Sequence, residues 1–393
     1  SALRRMPQHD FQMTAQTMHG LERVLAKELE DLGAVEIEVG VRAVRFRGDT
    51  KCLYRANLCL RTALRVLVPL ERFGIRNEDD LYHEVKRIRW EEFMSAAGTL
   101  AVQCTLRSDF FHHNKYLAQL TKDAIADRFR ERTGKRPSVD VEQPDVQVHL
   151  LVVGDMCTVS LDSSGVPLYK RGYRDETNLA PINEVLAAGL VLLTGWDGKR
   201  NLVDPMCGSG TIVIEAAMIA GNIPPGSHRE RFGFQRWLDF DRELWESVCD
   251  EALGKVSSEK PTIIGGEVSE HVLRKAAINV ASAHVKERVQ LKNASFADLD
   301  APEGGGVLIM NPPYGERMDQ DEDINALYKM IGDTLKKKWA GYEAWVITSN
   351  MAAAEHIKLT AKPRIRLFNG SLECRFMRYE LYSGSRRREP LPG

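Results

Sequence analysis

No two of the seven cysteines (Cys52, Cys59, Cys104, Cys157, Cys207, Cys249, Cys374) stand at C-x-x-C spacing. The sequence therefore lacks a zinc-ribbon or dithiol redox signature, and no metal is expected. Scattered thiols suit a reducing compartment, so the chain is expected in the cytoplasm. Long hydrophobic runs are missing too. The longest, around residues 186–193, falls well short of the ~20 apolar residues that cross a bilayer. No basic start followed by an apolar stretch and a small-residue cleavage site marks a secretory signal. Charge of one sign is also lacking: 54 Lys and Arg stand against 55 Asp and Glu, a net charge of −1. That excludes a histone-like polycation, but a local stripe of Arg and Lys can still hold phosphates. There is no internal repeat and no long low-complexity segment.

What is present is ordinary globular material. The chain has 393 residues, 43% hydrophobic and 28% charged, enough for two or three domains with cores of their own. Leu21, Val24, Leu25, Leu29 and Leu32 recur at helical spacing, and Gly33 follows as a stop signal. Val35, Ile37, Val39 and Val41 then alternate as in a strand, with Val44 and Phe46 in a second one. Leu117, Leu120, Ala124, Ile125 and Phe129 predict a helix ending at Gly134. Two apolar strands follow, over 146–153 and 156–161, joined by the turn dipeptide Gly154-Asp155. This order suggests a small α+β module. The stretch 163–181 is rich in Gly, Pro and charge and reads as a connection.

Beyond it, helical segments alternate with short continuous apolar runs at 201–203, 262–264, 307–310 and 344–348. Such a pattern means a mostly parallel sheet covered on both faces. The tail from Ser383, with Arg386-Arg387-Arg388 and two prolines, is expected to be disordered.

The sharpest local signal is Asp204-Pro205-Met206-Cys207-Gly208-Ser209-Gly210-Thr211, set between the apolar pair Leu202-Val203 and the helical pattern of Ile212, Ile214, Ala216, Ala217, Ile219 and Ala220. Glycines between strand and helix let backbone N–H groups approach a ligand at the carboxyl edge of a sheet. The loop is not a full G-x-G-x-x-G, and it lacks the lysine of a phosphate-binding loop. Asp204 at the strand end suits a cation, which tilts the choice toward S-adenosylmethionine, a ligand with an amino group and a sulfonium and no phosphate. After the next strand comes Glu267, placed to accept ribose hydroxyls. The long gap between the two contains 222–260, with Arg229, Arg231, Phe232, Phe234, Arg236 and Trp237. Contact with the target base or RNA and packing in a core are equally open for that segment.

The run Val307-Leu308-Ile309-Met310 ends in Asn311-Pro312-Pro313-Tyr314. The exocyclic amine of a base is a poor nucleophile because its lone pair is delocalised. The Asn311 side-chain oxygen and the Pro312 carbonyl could accept its two N–H protons and aim the nitrogen. Pro312 and Pro313 would hold the backbone so that the carbonyl points inward. Tyr314 would stack on the extruded base.

Taken together, these motifs resemble the THUMP-containing 23S ribosomal RNA (guanine-N2)-methyltransferase family, some of whose members are labelled N6-adenine-specific DNA methylases. The resemblance also rests on Lys170-Arg171-Gly172-Tyr173-Arg174, Ala180-Pro181-Ile182-Asn183-Glu184, the extension Gly315-Glu316-Arg317, and Asn369-Gly370-Ser371-Leu372-Glu373-Cys374. It implies an α/β chain: a Rossmann-like class I methyltransferase domain preceded by an α+β ferredoxin-like and THUMP RNA-binding region. On that pattern residues 1–68 are the ferredoxin-like piece, 69–165 THUMP, 166–180 the linker, 181–383 the methyltransferase domain and 384–393 the tail. Some members carry a second methyltransferase module; only one is expected in this chain.

The resemblance further implies cofactor contacts from Asp204 through Thr211 and from Glu267, Val268, Ser295 and Phe296. Ribosomal RNA contacts are implied for Arg107, Lys115, Arg128, Arg132, Lys135, Arg136, Arg171, Arg174 and Arg317, with Ser108, Asp109 and His112 as neighbours. Two positions depart from the family pattern. Ser269 stands where a second acid is common, and Ser295 where an acid faces the adenine amine, with Asp298 three residues on. The expected activity is methylation of a guanine N2 amine in large-subunit ribosomal RNA. The alternatives are an adenine-N6 DNA methyltransferase and an RNA-binding assembly factor without turnover. A nicotinamide-dependent oxidoreductase is disfavoured by the missing third glycine and by Asp204.

Overall fold

The computed structural model describes residues 9–174, 181–315 and 321–382. The chain divides into two compact units. The first takes residues up to 17, 25–170 and 229–254; the second takes 18–24, 171–228 and those from 255 onward. Among the described residues no helix is long and apolar enough to cross a membrane. The expected tail, and Arg317 with it, lies outside the described residues.

The first unit is built on one eight-stranded sheet. Its strands are β1 (Phe11–Gln16), β2 (Val35–Val39), β3 (Ala43–Gly48), β4 (Arg65–Gly74), β5 (Thr99–Arg107), β6 (Ser138–Val139), β7 (Val146–Val153) and β8 (Met156–Asp162), in the order β2-β3-β1-β4-β8-β7-β5-β6. Helices α1 (Glu22–Asp31), α2 (Thr50–Cys59), α3 (Glu78–Arg87) and α4 (Asn114–Thr133) accompany it. Their ends follow local chemistry. The Asp49 carboxylate accepts the Cys52 N–H at the start of α2, and Asn77 does the same for Asp80 at the start of α3. Gly134 closes α4 in the left-handed region, φ +75°, where a side chain would be strained. The turn Gly154-Asp155 joins β7 to β8 as its residues suggested.

Strand β4 serves both halves of this sheet. Its start pairs with β1 and its remainder with β8, so the division placed at 68/69 falls inside one strand.

Residues 229–254 lie within the stretch of sequence expected to form the methyltransferase domain, and by their contacts they pack with the first unit. Phe232, Phe234 and Trp237 are buried, and Phe234 stacks on Tyr54 at 4.4 Å between ring centroids. Trp245 meets Phe234 edge-on at 5.1 Å, a geometry that adds to plain burial. The Arg229 guanidinium donates to the carbonyls of Ser164, Val166, Pro167 and Lys170. These arginines and aromatics build a core and a buttress, with the rings removed from any base. Alternating rings and charges cannot say whose core they enter; only the returning chain does.

The second unit carries a seven-stranded sheet of β9 (Asn201–Asp204), β10 (Ile263–Gly266), β11 (Gln290–Lys292), β12 (Gly306–Met310), β13 (Tyr342–Thr348), β14 (Arg364–Asn369) and β15 (Leu372–Glu380). The order is β11-β10-β9-β12-β13-β15-β14. The five strands from β11 to β13 are parallel, and the β14–β15 hairpin closes the sheet antiparallel. That hairpin gave no clear signal in the sequence. Helices α5 (Glu184–Leu193), α6 (Thr211–Ala220), α8 (Glu270–Ser282), α9 (Asp321–Lys338) and the short α10 (Met351–Ala354) belong here, while α7 (Arg242–Gly254) lies in the first unit. All five residues of β12 are buried, which is why it reads as a continuous apolar run. The order reverses direction at β9: β10 lies on one side of it and β12, a later strand, on the other. Ligands of doubly wound sheets bind at the carboxyl ends of strands beside such a reversal.

Candidate active site at the carboxyl rim of the parallel sheet

Strands β9 and β12 are parallel neighbours, with Leu308 opposite Val203. The glycine loop that leaves β9 and the Asn311–Tyr314 loop that leaves β12 must therefore emerge side by side. Both line one cavity of about 680 Å³, together with the residues after β10. Of the expected site residues, Pro205, Met206, Gly208, Glu267, Val268, Ser295, Phe296, Asn311, Pro312, Pro313 and Tyr314 reach this cavity.

The remaining loop residues stand behind its wall. Asp204 is 2% exposed, and its carboxylate accepts the Met206 N–H at 3.0 Å. Burial, reinforced by the charge of Glu267, pushes its pKa up to about 8. Cys207 is buried, its N–H bound to Gly266 O, and burial also raises its thiol. The Ser209 carbonyl is held by Asn279 Nδ2 at 2.9 Å. Gly208 and Gly210 have φ of +52° and +87°, and Gly210 opens α6 with Thr211 behind it. A Cβ on Gly210 would also meet Ala276 at 3.5 Å.

The Glu267 carboxylate lines the cavity and makes no hydrogen bond or ion pair among the described residues. It is available to a ligand's hydroxyls. The backbone behind it is fixed by Asn293, whose Nδ2 donates to the carbonyls of Glu267 and Val268. The two departures from the family pattern have structural uses. Ser269 caps α8 by accepting the Val272 N–H, and Ser295 Oγ donates to the Asp298 carboxylate at 3.0 Å.

In the acceptor loop, Tyr314 Oη donates to Asn311 Oδ1 at 2.6 Å. Burial raises the pKa of this phenol, so it stays protonated at neutral pH. Tyr328 Oη donates to Pro313 O at 2.9 Å, and Asn350 Nδ2 to Tyr314 O at 2.8 Å. Pro312 O takes no hydrogen bond among the described residues. Sequence reasoning missed Pro181, Ala294, Leu327, Met330 and Leu372 as lining residues, and it gave Asn369 no place in the site. Their elements come from distant parts of the chain, and the signature runs at 180–184 and 369–374 could have drawn attention to Pro181, Asn369 and Leu372.

The expected RNA contacts divide sharply. Arg107, Lys115, Arg132, Lys135 and Arg136 are exposed. Arg128 and Arg171 are buried, which corrects their reading as RNA contacts. Arg128 grips Glu91 through two bonds, at 2.8 and 2.9 Å, and Arg171 is bound to the fully buried Glu215 at 2.8 Å. Tyr173 donates to the second oxygen of Glu215, and Arg174, mostly buried, pairs with Glu184. A guanidinium that already holds a buried carboxylate cannot leave it for a phosphate without stranding that charge. A run of cations does not show which of them fold inward.

The fold and the paired loops define a Rossmann-like methyltransferase. Family comparison agrees. Residues 171–378 match the RMKL-like methyltransferase domain, 76–162 the THUMP domain and 12–67 the RlmL ferredoxin-like domain. The chain belongs to the RMKL-like methyltransferase family, which is S-adenosylmethionine-dependent. It is 41% identical over 373 residues to the ribosomal RNA large subunit methyltransferase K/L of Syntrophotalea carbinolica, covering 92% of this chain and 52% of that protein. The chain thus spans about half the length of such K/L relatives. Over 369 residues it is 38% identical to "Putative RNA methyltransferase slr0064" of Synechocystis sp., covering 94% of this chain and 96% of that one. Among solved structures, SMU.472 complexed with SAH superposes with a TM-score of 0.87 at 29% identity, covering 96% of this chain and all of that one.

Proposed function

We propose that this chain transfers a methyl group from S-adenosylmethionine to the exocyclic N2 amine of a guanine in large-subunit ribosomal RNA. One observation carries the reading: a glycine loop, a free carboxylate and an Asn-Pro-Pro-Tyr loop leave three neighbouring parallel strands and open into one cavity. The residues fit the cofactor. Glu267 offers an unpaired carboxylate to ribose hydroxyls, Asp204 a buried carboxyl whose ionisation a cation would favour, and Gly208 a backbone that approaches without a side chain. When bound, S-adenosylmethionine supplies an electrophilic methyl group.

The protein's own part is orientation. Asn311 Oδ1 and the open Pro312 carbonyl accept the amine's two N–H protons, fixing the nitrogen and favouring its pyramidal form. Tyr314 supplies an aromatic face for the extruded base. Holding reactants at attack distance can contribute about 7–11 kcal/mol, so no strong base is needed before attack. The RNA part of the reading is supported by the THUMP match, the ribosomal RNA named for the K/L relatives and the exposed cations Arg107, Lys115, Lys135 and Arg136. The guanine N2 target rests on the motif resemblance, and a cytoplasmic location follows from such a substrate.

The test offers tritiated S-adenosylmethionine with ribosomal RNA or duplex DNA, followed by nucleoside mass spectrometry. N2-methylguanosine supports the proposal. N6-methyladenine in DNA, or no transfer to either, overturns it.

A further inference from the structure

The signature run at 369–374 supplies neither of the proposed acceptors for the target amine. It forms the tip and second strand of the β14–β15 hairpin, where Asn369 stands opposite Leu372 and both reach the cavity. Asn369 Nδ2 points at the Tyr314 hydroxyl, 3.3 Å away, and that hydroxyl donates to Asn311 Oδ1 at 2.6 Å. The Cys374 thiol approaches the same hydroxyl from β15.

An amide nitrogen can only donate, and a phenol has a single proton. A donor arriving on the phenol oxygen leaves that proton free for the one good acceptor on the other side, Asn311 Oδ1. The chain of two hydrogen bonds is thereby polarised. A side-chain amide has two nearly isosteric ends, and the Asn311 chemistry needs the oxygen end. The relay pins it.

The backbone of the loop is clamped independently by Tyr328 and Asn350, which take the carbonyls on either side of the Tyr314 amide link and leave Pro312 O open. Tyr328 is itself tied to Thr348, and Asn350 caps α10, so both clamps rest on fixed elements.

We propose that Asn369 is a positioning residue for methyl transfer: through the Tyr314 hydroxyl it fixes the orientation of the Asn311 carboxamide that receives the target amine. This rests on the methyl-transfer reading above. It also explains why a hairpin at the far edge of the sheet carries a polar residue into a largely apolar cavity.

The deciding variant is Asn369→Asp, which keeps the shape of the side chain and replaces its donor with acceptors. The Tyr314 proton then turns toward the new carboxylate and releases Asn311. Single-turnover methyl transfer to ribosomal RNA is expected to fall about 10–10²-fold, the range for a small misplacement of reacting groups. Calorimetric affinity for S-adenosylmethionine should stay within about twofold, which a collapsed site would not allow. In a Tyr314→Phe background, Asn369→Asp should add no further loss, because the relay is already cut.

An unchanged rate in the single variant, or losses that multiply in the double variant, overturns the proposal. If the unsubstituted protein methylates nothing, the functional reading falls, and the crystal structure of the Asn369→Asp variant decides the relay alone. A Tyr314–Asn311 bond still at its present length would overturn it; a hydroxyl turned to the new carboxylate would support it.

Discussion

The two sheets are of similar size but use their edges differently. The eight-stranded sheet of the first unit is mainly antiparallel, with only β5–β6 and β5–β7 parallel, so strand ends and turns alternate between its two rims. The second sheet has five successive parallel strands, so the carboxyl ends of β9, β10 and β12 fall on one rim. A parallel sheet gathers loops from distant stretches of sequence into one place; an antiparallel one spreads them. The second unit gathers the loops of three strands around one cavity and sets the Arg171–Glu215 pair in its interior, while Arg107, Lys115, Lys135 and Arg136 of the first unit stand at its surface. The comparison also shows where a charge is costly to disturb.

The largest effect is expected behind the cavity. Glu215→Gln would leave Arg171 buried without its counter-charge, and loss of one partner of a buried pair costs about 3–5 kcal/mol. Urea denaturation followed by a probe in the second unit would measure it. Within the cavity, Asn311→Ala should lower the rate of methyl transfer by about 10²–10³, as when one preorganised hydrogen-bonding group is removed. Cofactor affinity should change little.

In the first unit, Arg229→Ala strips four carbonyls of their donor. A loss of about 2–3 kcal/mol in thermal unfolding is expected, from the worth of hydrogen bonds to a charged group. A negligible effect would mean that residues 229–254 are held by their aromatic contacts alone.

On the proposed cofactor contact, Asp204 makes binding pH-dependent. Without ligand, burial keeps its carboxyl protonated up to about pH 8. A cation beside it favours the carboxylate, so binding releases a proton below that pH and tightens as pH rises toward 8, by at most about tenfold per unit. Calorimetry in buffers of different ionisation enthalpy reads the proton directly, and Asp204→Asn should flatten the profile. Since the folded-state value is raised from the ordinary 3.8, the unliganded protein should also lose stability progressively as pH rises from about 4 to 8, with no further loss above it.

The smallest effects belong to the surface. Lys135→Glu or Arg136→Glu should weaken RNA binding severalfold and lower the salt slope by about one unit per lost phosphate contact. Among the described residues the side chains of Lys135 and Arg136 have no ion-pair partner, in contrast with Arg128, whose charge is already committed to Glu91.

Several elements were legible because their chemistry is local. The α4 stop at Gly134, the turn at Gly154-Asp155 and the continuous apolar strands β9, β10, β12 and β13 all follow from residues within a few positions of one another. The glycine loop and the Asn-Pro-Pro-Tyr loop were recognisable for the same reason. The β14–β15 hairpin was not, since its strands are mixed in polarity and its place in the sheet is defined by the pairing of β15 with β13. Nor could the fates of individual arginines be read: Arg171 and Arg136 differ in what the fold brings beside them, while their neighbours in the chain are similarly polar.

The order of side chains along the chain was enough to determine the parallel sheet, the two motif loops and the class of ligand that such loops accept, because periodicity and turn chemistry act over short range. Tertiary structure alone decided that residues 229–254 return to the first core, that Arg171 closes on Glu215 in place of solvent, and that Asn369 reaches Tyr314 across more than fifty residues of sequence. Burial and partner choice depend on which surfaces meet, and that is a property of the folded chain as a whole.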